Sequence, residues 1–253
     1  MRAIKFNLQG QTAFFKKPDV NTFLYFTYGN MHKVALIGML GAIMGFKGYN
    51  GQTEKEIYPE FYAKLKDLEV SIVPKRKSEK DLPGVFGKKV QTFNNSVGYA
   101  SAEAGGNLIV KEQWLEKPSW DIYIKEGHDC YEMLLNRLQN RQYVYVPYLG
   151  KNDHLATITA FEEVDLNELA GEQKMMSLCL KEDFEMVADE DDEEDFFEEK
   201  EIYYKYEEKL PIALEPEQNQ YEVATFILTN QKLKAKKANK VYQTEHQENI
   251  YFI

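Results

Sequence analysis

Residues 4–48 decide the fold class through three segments: IKFNLQ at 4–9, FFKKP at 14–18 and KVALIGMLGAIMG at 33–45. Apolar and polar residues alternate over 4–9, which predicts a strand with one buried face. Residues 33–45 are apolar on every side, which predicts a buried helix instead of an amphipathic one. A strand, a basic and aromatic loop and a buried helix, in this order, are compatible with a ferredoxin-like RNA-binding domain.

Three glycines interrupt the predicted helix, at Gly38, Gly41 and Gly45. Glycine costs about 1 kcal/mol relative to alanine inside a helix, so its repeated use requires a reason. We expect the backbone to approach a sheet or a neighbouring loop closely at these positions. Gly48 is the predicted end of the helix, because glycine commonly follows a helix C-terminus.

The rest of the chain predicts an α+β fold with a ferredoxin-like core and two additions. Strands are expected at 70–73, 120–124, 143–146 and 156–160, and helices at 54–68 and after a capping box of Asp129 and Glu132. This order of elements matches a βαββαβ plan. The predicted core comprises 1–73 and 112–165, with a β-rich insertion at 74–111 and a C-terminal β extension at 166–253.

The charge distribution separates one acidic segment from a nearly neutral body. The net charge is −10, which by itself argues against a nucleic-acid partner. The predicted acidic loop at 182–201 contains 13 acidic residues and one lysine, whereas the rest of the chain has 30 basic and 28 acidic residues. The body therefore retains basic clusters that suit an RNA partner.

Simple counts exclude several classes of protein. The longest apolar stretch, 34–46, falls short of the roughly 18 residues that a membrane span needs, and the N-terminus lacks a signal-peptide pattern. A cytoplasmic protein with no membrane partner is therefore expected. Cys130 and Cys179 stand alone and the four histidines are scattered, so the sequence predicts no metal, no disulfide framework and no cofactor.

Two parts of the sequence resemble one known family. The elements FKKP at 15–18, TY at 27–28 and LIGMLG at 36–41 follow the opening pattern of the fifth CRISPR-associated (Cas) protein family, the guide-RNA-handle subunit of type I interference complexes. The loop-to-strand passage at 148–156 resembles a second element of that family. One departure is NMHK at 30–33, where the family often has Pro-Pro-Arg-Thr.

The resemblance implies a fold and a function. The fold would be of the RRM or RAMP type, with 74–111 as a thumb-like β hairpin that reaches toward the RNA and a neighbouring backbone subunit. The chain would be a non-catalytic subunit of a type I Cascade complex, most like subtype I-B, that caps the 5′ handle of the crRNA. Its other partners would be the large subunit and, only indirectly, target DNA, because the guide reads the DNA by base pairing.

The candidate RNA-binding residues combine cations for phosphates with rings and amides for bases. They lie in the loop before the predicted helix, at the helix start, where backbone N–H groups favour an anion, in the insertion, and in the turn at 151–154. The set is Lys16, Lys17, Tyr28, His32, Lys33, Lys75, Arg76, Lys77, Lys88, Lys89, Phe93, Asn94, Lys151, Asn152 and His154.

Two alternative functions are open at this point. One branch of the resembled family cuts precursor RNA without a metal by means of a histidine, a lysine and a tyrosine, and Tyr28, His32 and Lys33 supply these residue types. The other alternative is a protein–protein adaptor in which the acidic run DEDDEED at 189–195 docks a basic partner. A solvated loop is the simplest explanation of that run.

Overall fold

The computed structural model describes residues 1–19, 23–76, 78, 81–94, 98, 102, 104, 108–187, 203–236 and 240–253. Its helices are α1 (Lys33–Met44), α2 (Glu60–Leu65) and α3 (Tyr131–Gln139). Its strands are β1 (Arg2–Gly10), β2 (Thr12–Ala13), β3 (Val70–Pro74), β4 (Lys88–Asn94), β5 (Ile109–Glu116), β6 (Ser119–Lys125), β7 (Ala156–Glu168), β8 (Glu172–Lys174), β9 (Cys179–Leu180), β10 (Phe184–Met186), β11 (Lys205–Leu214), β12 (Tyr221–Thr229), β13 (Lys232–Ala235), β14 (Val241–Thr244) and β15 (Asn249–Tyr251). The described part of the chain is therefore mostly β, with few helices. None of these helices is both long and apolar enough to cross a membrane.

Six antiparallel strands form the main sheet, in the order β15-β14-β7-β1-β6-β3. β1 lies inside the sheet and pairs on both sides; its Phe6 faces Ile122 of β6, and β7 pairs along the other edge. The backbones of Val70 and Ile253 exchange two hydrogen bonds of 3.2 and 3.0 Å. These bonds join the two edges of the sheet, so the sheet nearly closes on itself.

Helix α1 is buried on several sides, as its sequence predicts, and shares one hydrophobic core with the inward-facing residues of β1. Its N-cap is His32, whose Nδ1 accepts a hydrogen bond from the backbone N–H of Ala35 at 3.2 Å. Gly45, with a φ of 87°, ends the helix in the left-handed conformation that glycine adopts without strain. The helix therefore ends before Gly48, the predicted terminator.

Gly41 brings α1 into close contact with α2. A Cβ atom at Gly41 would lie 2.5 Å from the Cβ of Phe61, so the packing requires glycine. The expected close approach is confirmed here, although the neighbour is a helix and not a sheet or a loop. α2 itself is shorter than the helix predicted at 54–68, because Pro59 caps its start in an extended conformation and the residues before it form turns.

Residues 143–146, predicted as a strand, form a loop. Their alternating tyrosines and valines fit a strand, but the segment bonds to a helix: the N–H of Val144 donates to the carbonyl of Ile43 in α1 at 3.0 Å. The predicted capping box is also wrong, because α3 begins at Tyr131 and its N-cap, Cys130, makes no side-chain cap.

Three smaller sheets complete the described structure, in the orders β2-β5-β4, β10-β13-β8 and β11-β12-β9. β4 and β5 form an antiparallel hairpin in which Phe93 faces Val110. β4 lies within the predicted insertion at 74–111, and β5 continues past its end. The other two sheets use strands from the region predicted as a C-terminal β extension. The acidic run at 189–195 lies outside the described residues.

Candidate nucleic-acid interface

A groove with a volume of about 830 Å³ runs along α1. Small residues of the helix, Ala35, Gly38 and Ala42, form part of its floor, and its walls come from the loop before α1, from β5 and from the segment 145–151. The charged and aromatic residues that line the groove and could contact RNA include Lys16, Tyr25, His32, Lys47, Glu112, Tyr145, Tyr148 and Lys151.

Lys16 and Lys17 are neighbours in sequence but contact different parts of the structure. Lys16 is exposed, lines the groove and places its Nζ 4.2 Å from the centre of the Tyr25 ring. Lys17 forms an ion pair of 2.7 Å with Glu208, which comes from β11. Of these two predicted phosphate ligands, Lys16 is the one whose charge faces the groove.

Lys151 brings a second predicted cation to the groove. Its Nζ lies 3.0 Å from Oε1 of Glu112 and 5.5 Å from the centre of the Phe93 ring. Glu112 is close to Tyr25, because the two residues form a bridge between their backbones. Lys16, Lys151, a carboxylate and two aromatic rings are therefore grouped at one end of the groove.

Glu112 is a buried carboxylate at this end. Only 6% of its side chain is exposed, and its Oε2 accepts a hydrogen bond from Nε1 of Trp114 at 2.9 Å. The backbone holds it in place: the N–H of Tyr25 donates to the carbonyl of Lys111, and the N–H of Gln113 donates to the carbonyl of Tyr25, each at 2.9 Å. Strand β5 and the loop before α1 thus fix the carboxylate on both sides.

Strand β4 extends this surface. It carries the predicted contacts Lys88, Lys89, Phe93 and Asn94, of which Phe93 is half-buried and the others are exposed. The Nζ of Lys89 lies 5.7 Å from the centre of the Trp114 ring, and the Phe93 ring lies beneath Lys151. The structure therefore brings the hairpin and the turn at 151–154 together, with Asn152 exposed in that turn.

Three of the predicted RNA contacts are buried aromatic or imidazole rings. Tyr28 is 4% exposed, His32 3% and His154 1%. The Nδ1 of His154 lies 2.6 Å from Oγ1 of Thr12, and burial lowers the pKa of His32 to about 3. Tyr28 and His154 do not line the groove, and His32, which does line it, is neutral and caps α1, so the three rings suit a supporting role better than contact with RNA. Within the described ranges, no group of three or more His, Cys, Asp or Glu side chains is arranged to hold a metal.

Three further predicted cations, Lys33, Lys75 and Arg76, do not line the groove. The Nζ of Lys33 donates to the backbone carbonyl of Ile253 at 3.2 Å, and burial lowers the pKa of Lys33 to about 8. Lys75 pairs with Asp121 at 2.8 Å. Arg76 is exposed just after β3. Lys77 lies outside the described residues.

Several groove residues were missed by sequence reasoning. The sequence predicts Tyr145 as part of a strand and Tyr148 as the start of the passage after it, and Lys47 lies just beyond the predicted helix at 33–45. Tyr25 carries a weak signal, because it shares the aromatic loop with Tyr28. Glu112 carries none, since a buried acid and a solvated acid in a strand of mixed polarity look alike in sequence.

Comparison with known proteins reveals a shared fold. No protein-family model matches the chain, and no curated protein matches it. Among solved structures, a chain of a CRISPR RNA-guided surveillance complex is 11% identical, with a TM-score of 0.52 and 90% of both chains covered. A CRISPR protein from Archaeoglobus fulgidus is 7% identical, with a TM-score of 0.50 over 99% of this chain and 98% of the other. The chain therefore shares its fold with these two CRISPR proteins.

Proposed function

We propose that the chain is a member of the fifth Cas family and the crRNA 5′-handle-binding subunit of a type I CRISPR interference complex, most like subtype I-B. The fold shared with a chain of a CRISPR RNA-guided surveillance complex carries this proposal. The elements at 15–18, 27–28 and 36–41 support the family by their resemblance to its opening pattern, and the backbone N–H of Tyr28 donates to the carbonyl of Phe15 at 2.8 Å. The groove supplies the chemistry that RNA binding needs.

The centre of the main sheet supports a ferredoxin-like core. Along the chain, α1 lies between β1 and β3, and α3 lies between β6 and β7. In the sheet these four strands are antiparallel neighbours in the order β7-β1-β6-β3. A βαββαβ chain gives this order when its first and third strands take the two central places. We propose that the β4–β5 hairpin is the thumb.

In the proposed complex, the groove and β4 hold single-stranded RNA. Lys16 and Lys89 neutralise phosphates, and the rings of Tyr25 and Phe93 stack on splayed bases. The hairpin faces the first backbone subunit, and other surfaces of the chain help to recruit the large subunit. The complex acts in the cytoplasm. The chain contacts target DNA only indirectly, because the guide RNA recognises the DNA sequence by base pairing.

The proposal gives the chain no catalytic role. The three nuclease candidates do not face one open site, since the Nζ of Lys33 bonds to Ile253 whereas Nδ1 of His32 accepts the N–H of Ala35. With a pKa lowered to about 3 by burial, His32 is neutral at pH 7 and carries no extra proton for a general acid to donate. Tyr28 is buried against His32, with ring centres 5.3 Å apart.

The test is a binding assay of the purified chain with a repeat-derived RNA in EDTA, at several salt concentrations. Lys16→Gln and Lys17→Gln form a matched pair, identical in chemistry and adjacent in sequence. Lys16→Gln is expected to weaken binding about 3- to 10-fold and to lower the salt slope by about one ion. Lys17→Gln is expected to change neither, because Glu208 already neutralises that ammonium.

The same assay separates the alternatives. Binding without cleavage, weakened by Lys16→Gln alone, supports the handle-binding subunit. Cleavage in EDTA that His32→Ala abolishes would favour the metal-independent endoribonuclease. If no RNA binds even at low salt, the adaptor becomes the better explanation, and a basic protein that binds through 189–195 becomes the partner to seek.

A further inference from the structure

The buried carboxylate of Glu112 is an unusual group for a surface that holds an anionic polymer. Its two oxygens accept from Nζ of Lys151 at 3.0 Å and from Nε1 of Trp114 at 2.9 Å. A carboxylate oxygen has two lone pairs, so each oxygen retains acceptor capacity, and Glu112 is one of the residues that line the groove. This end of the groove therefore presents two acceptor oxygens directly beside a cationic donor.

Guanine has the edge that complements this arrangement. Its N1–H and N2–H groups are adjacent donors, spaced like the two oxygens of a carboxylate, and its O6 acceptor lies next to N1. Adenine and cytosine place a ring-nitrogen acceptor beside their amino group, and uracil places its single N–H between two carbonyls. Carboxylate acceptors oppose those ring nitrogens and carbonyls, so the other three bases leave buried polar atoms unpaired.

We propose that Glu112 and Lys151 form a pocket that selects a guanine of single-stranded RNA. The carboxylate accepts from N1–H and N2–H, and Lys151 donates to O6. Tyr25, whose backbone bridges that of Glu112 and which also lines the groove, stacks its ring on the base. The inference rests on the proposed RNA-binding function and adds base selectivity to it.

The first experiment needs no variant. Binding of the full chain to fluorescein-labelled RNA octamers of alternating sequence, (UG)4, (UI)4, (UA)4 and U8, is followed by anisotropy. Inosine differs from guanosine only in lacking the N2 amino group, so it removes one donor to Glu112. We expect (UG)4 to bind about tenfold more tightly than (UI)4 and (UA)4, the usual discrimination of a well-paired base edge.

The variant Glu112→Gln tests the assignment, because the amide keeps the size of the side chain but replaces one acceptor with a donor. The preference for (UG)4 over (UI)4 is expected to fall below twofold, while U8 and (UA)4 bind more tightly by a similar factor, because Lys151 loses its paired carboxylate. Glu162→Gln is the matched control, since Glu162 also pairs with a lysine, Lys5 at 3.1 Å, but does not line the groove. This control is expected to leave the preference unchanged.

The outcomes distinguish the inference from the function on which it rests. Equal binding of all octamers by the unaltered chain would overturn the guanine pocket and leave RNA binding intact. A preference for (UG)4 that survives Glu112→Gln would overturn the assignment to Glu112. No binding of any octamer, nor of the repeat-derived RNA, would overturn both proposals.

Discussion

Two glycines of α1 that face the same residue are expected to respond in opposite ways to an added methyl group. Gly38 and Gly41 both pack against Phe61 of α2. A Cβ at Gly38 would lie 3.5 Å from Cε2 of Phe61, which is ordinary van der Waals contact. A Cβ at Gly41 would lie 2.5 Å from Cβ of Phe61, and this atom moves only if the backbone of α2 moves.

The magnitudes follow from two opposing effects. Replacing glycine by alanine inside a helix stabilises it by about 1 kcal/mol, and both sites lie inside α1. At Gly38 this gain meets no opposition, so Gly38→Ala is expected to raise the free energy of unfolding by about 0.5–1 kcal/mol. At Gly41 overpacking costs about 1–3 kcal/mol, and since the helix effect is common to both variants, this cost is the difference between them.

The assay is urea unfolding followed by the fluorescence of Trp114 and Trp120, with equal m-values as the condition for comparing the midpoints. Gly48→Ala serves as the control, because an added Cβ at Gly48 meets no atom within 4 Å and the residue lies outside the helix. A Gly41→Ala variant that is as stable as Gly38→Ala, or more stable, would refute the packing of α1 on α2 described above.

Two further perturbations test the surroundings of the groove. Burial lowers the pKa of His32 to about 3 from its ordinary 6.5, so the unfolded chain binds the extra proton and stability is lost as pH falls from about 6.5 toward 3. His32→Asn, which keeps a helix cap, is expected to reduce the pH slope of unfolding by up to about 1.4 kcal/mol per pH unit in that window, measured by urea titration at each pH. Glu208→Gln removes the charged partner of Lys17 and weakens an acceptor of the Gly29 N–H, and thermal unfolding is expected to show a loss of about 1–3 kcal/mol. A change under 0.5 kcal/mol would contradict a structural role for Glu208.

The sequence pattern of a short segment correctly predicted β1 and α1, because the positions of their apolar residues determine which faces are buried. The alternation of 4–9 places β1 inside the sheet, and the apolar stretch 33–45 is buried on several sides as α1. Both patterns determine which faces avoid water, and a strand or helix with that pattern has few other ways to bury its surface. Gly41 also predicts close packing. Glycine destabilises a helix relative to alanine, so its presence indicates that a larger side chain would not fit there.

The prediction of a strand at 143–146 was wrong because an alternating pattern is not sufficient for a strand to form. A strand also needs a neighbouring strand with a free edge. The next strand in the chain, β7, already pairs on both sides, with β1 and β14. The segment instead bonds to the end of α1 and places Tyr145 in the wall of the groove. Long-range pairing of this kind is not encoded in a short window, since strand propensity depends strongly on context.

Lys16 and Lys17 show that the number of basic residues in a motif does not predict how many of them reach the binding site. Successive residues of an extended segment point to opposite faces, and the bridge between Lys16 and Thr27 puts this segment in that conformation. Lys16 therefore faces the groove, whereas Lys17 reaches Glu208, which lies 191 residues further along the chain. The sequence offers two cations for RNA, but the fold presents one and uses the other to join the loop to β11. Glu112 pairs with Lys151 in the same way. The charge that the groove offers to RNA therefore depends on which acidic side chains the fold brings next to its lysines.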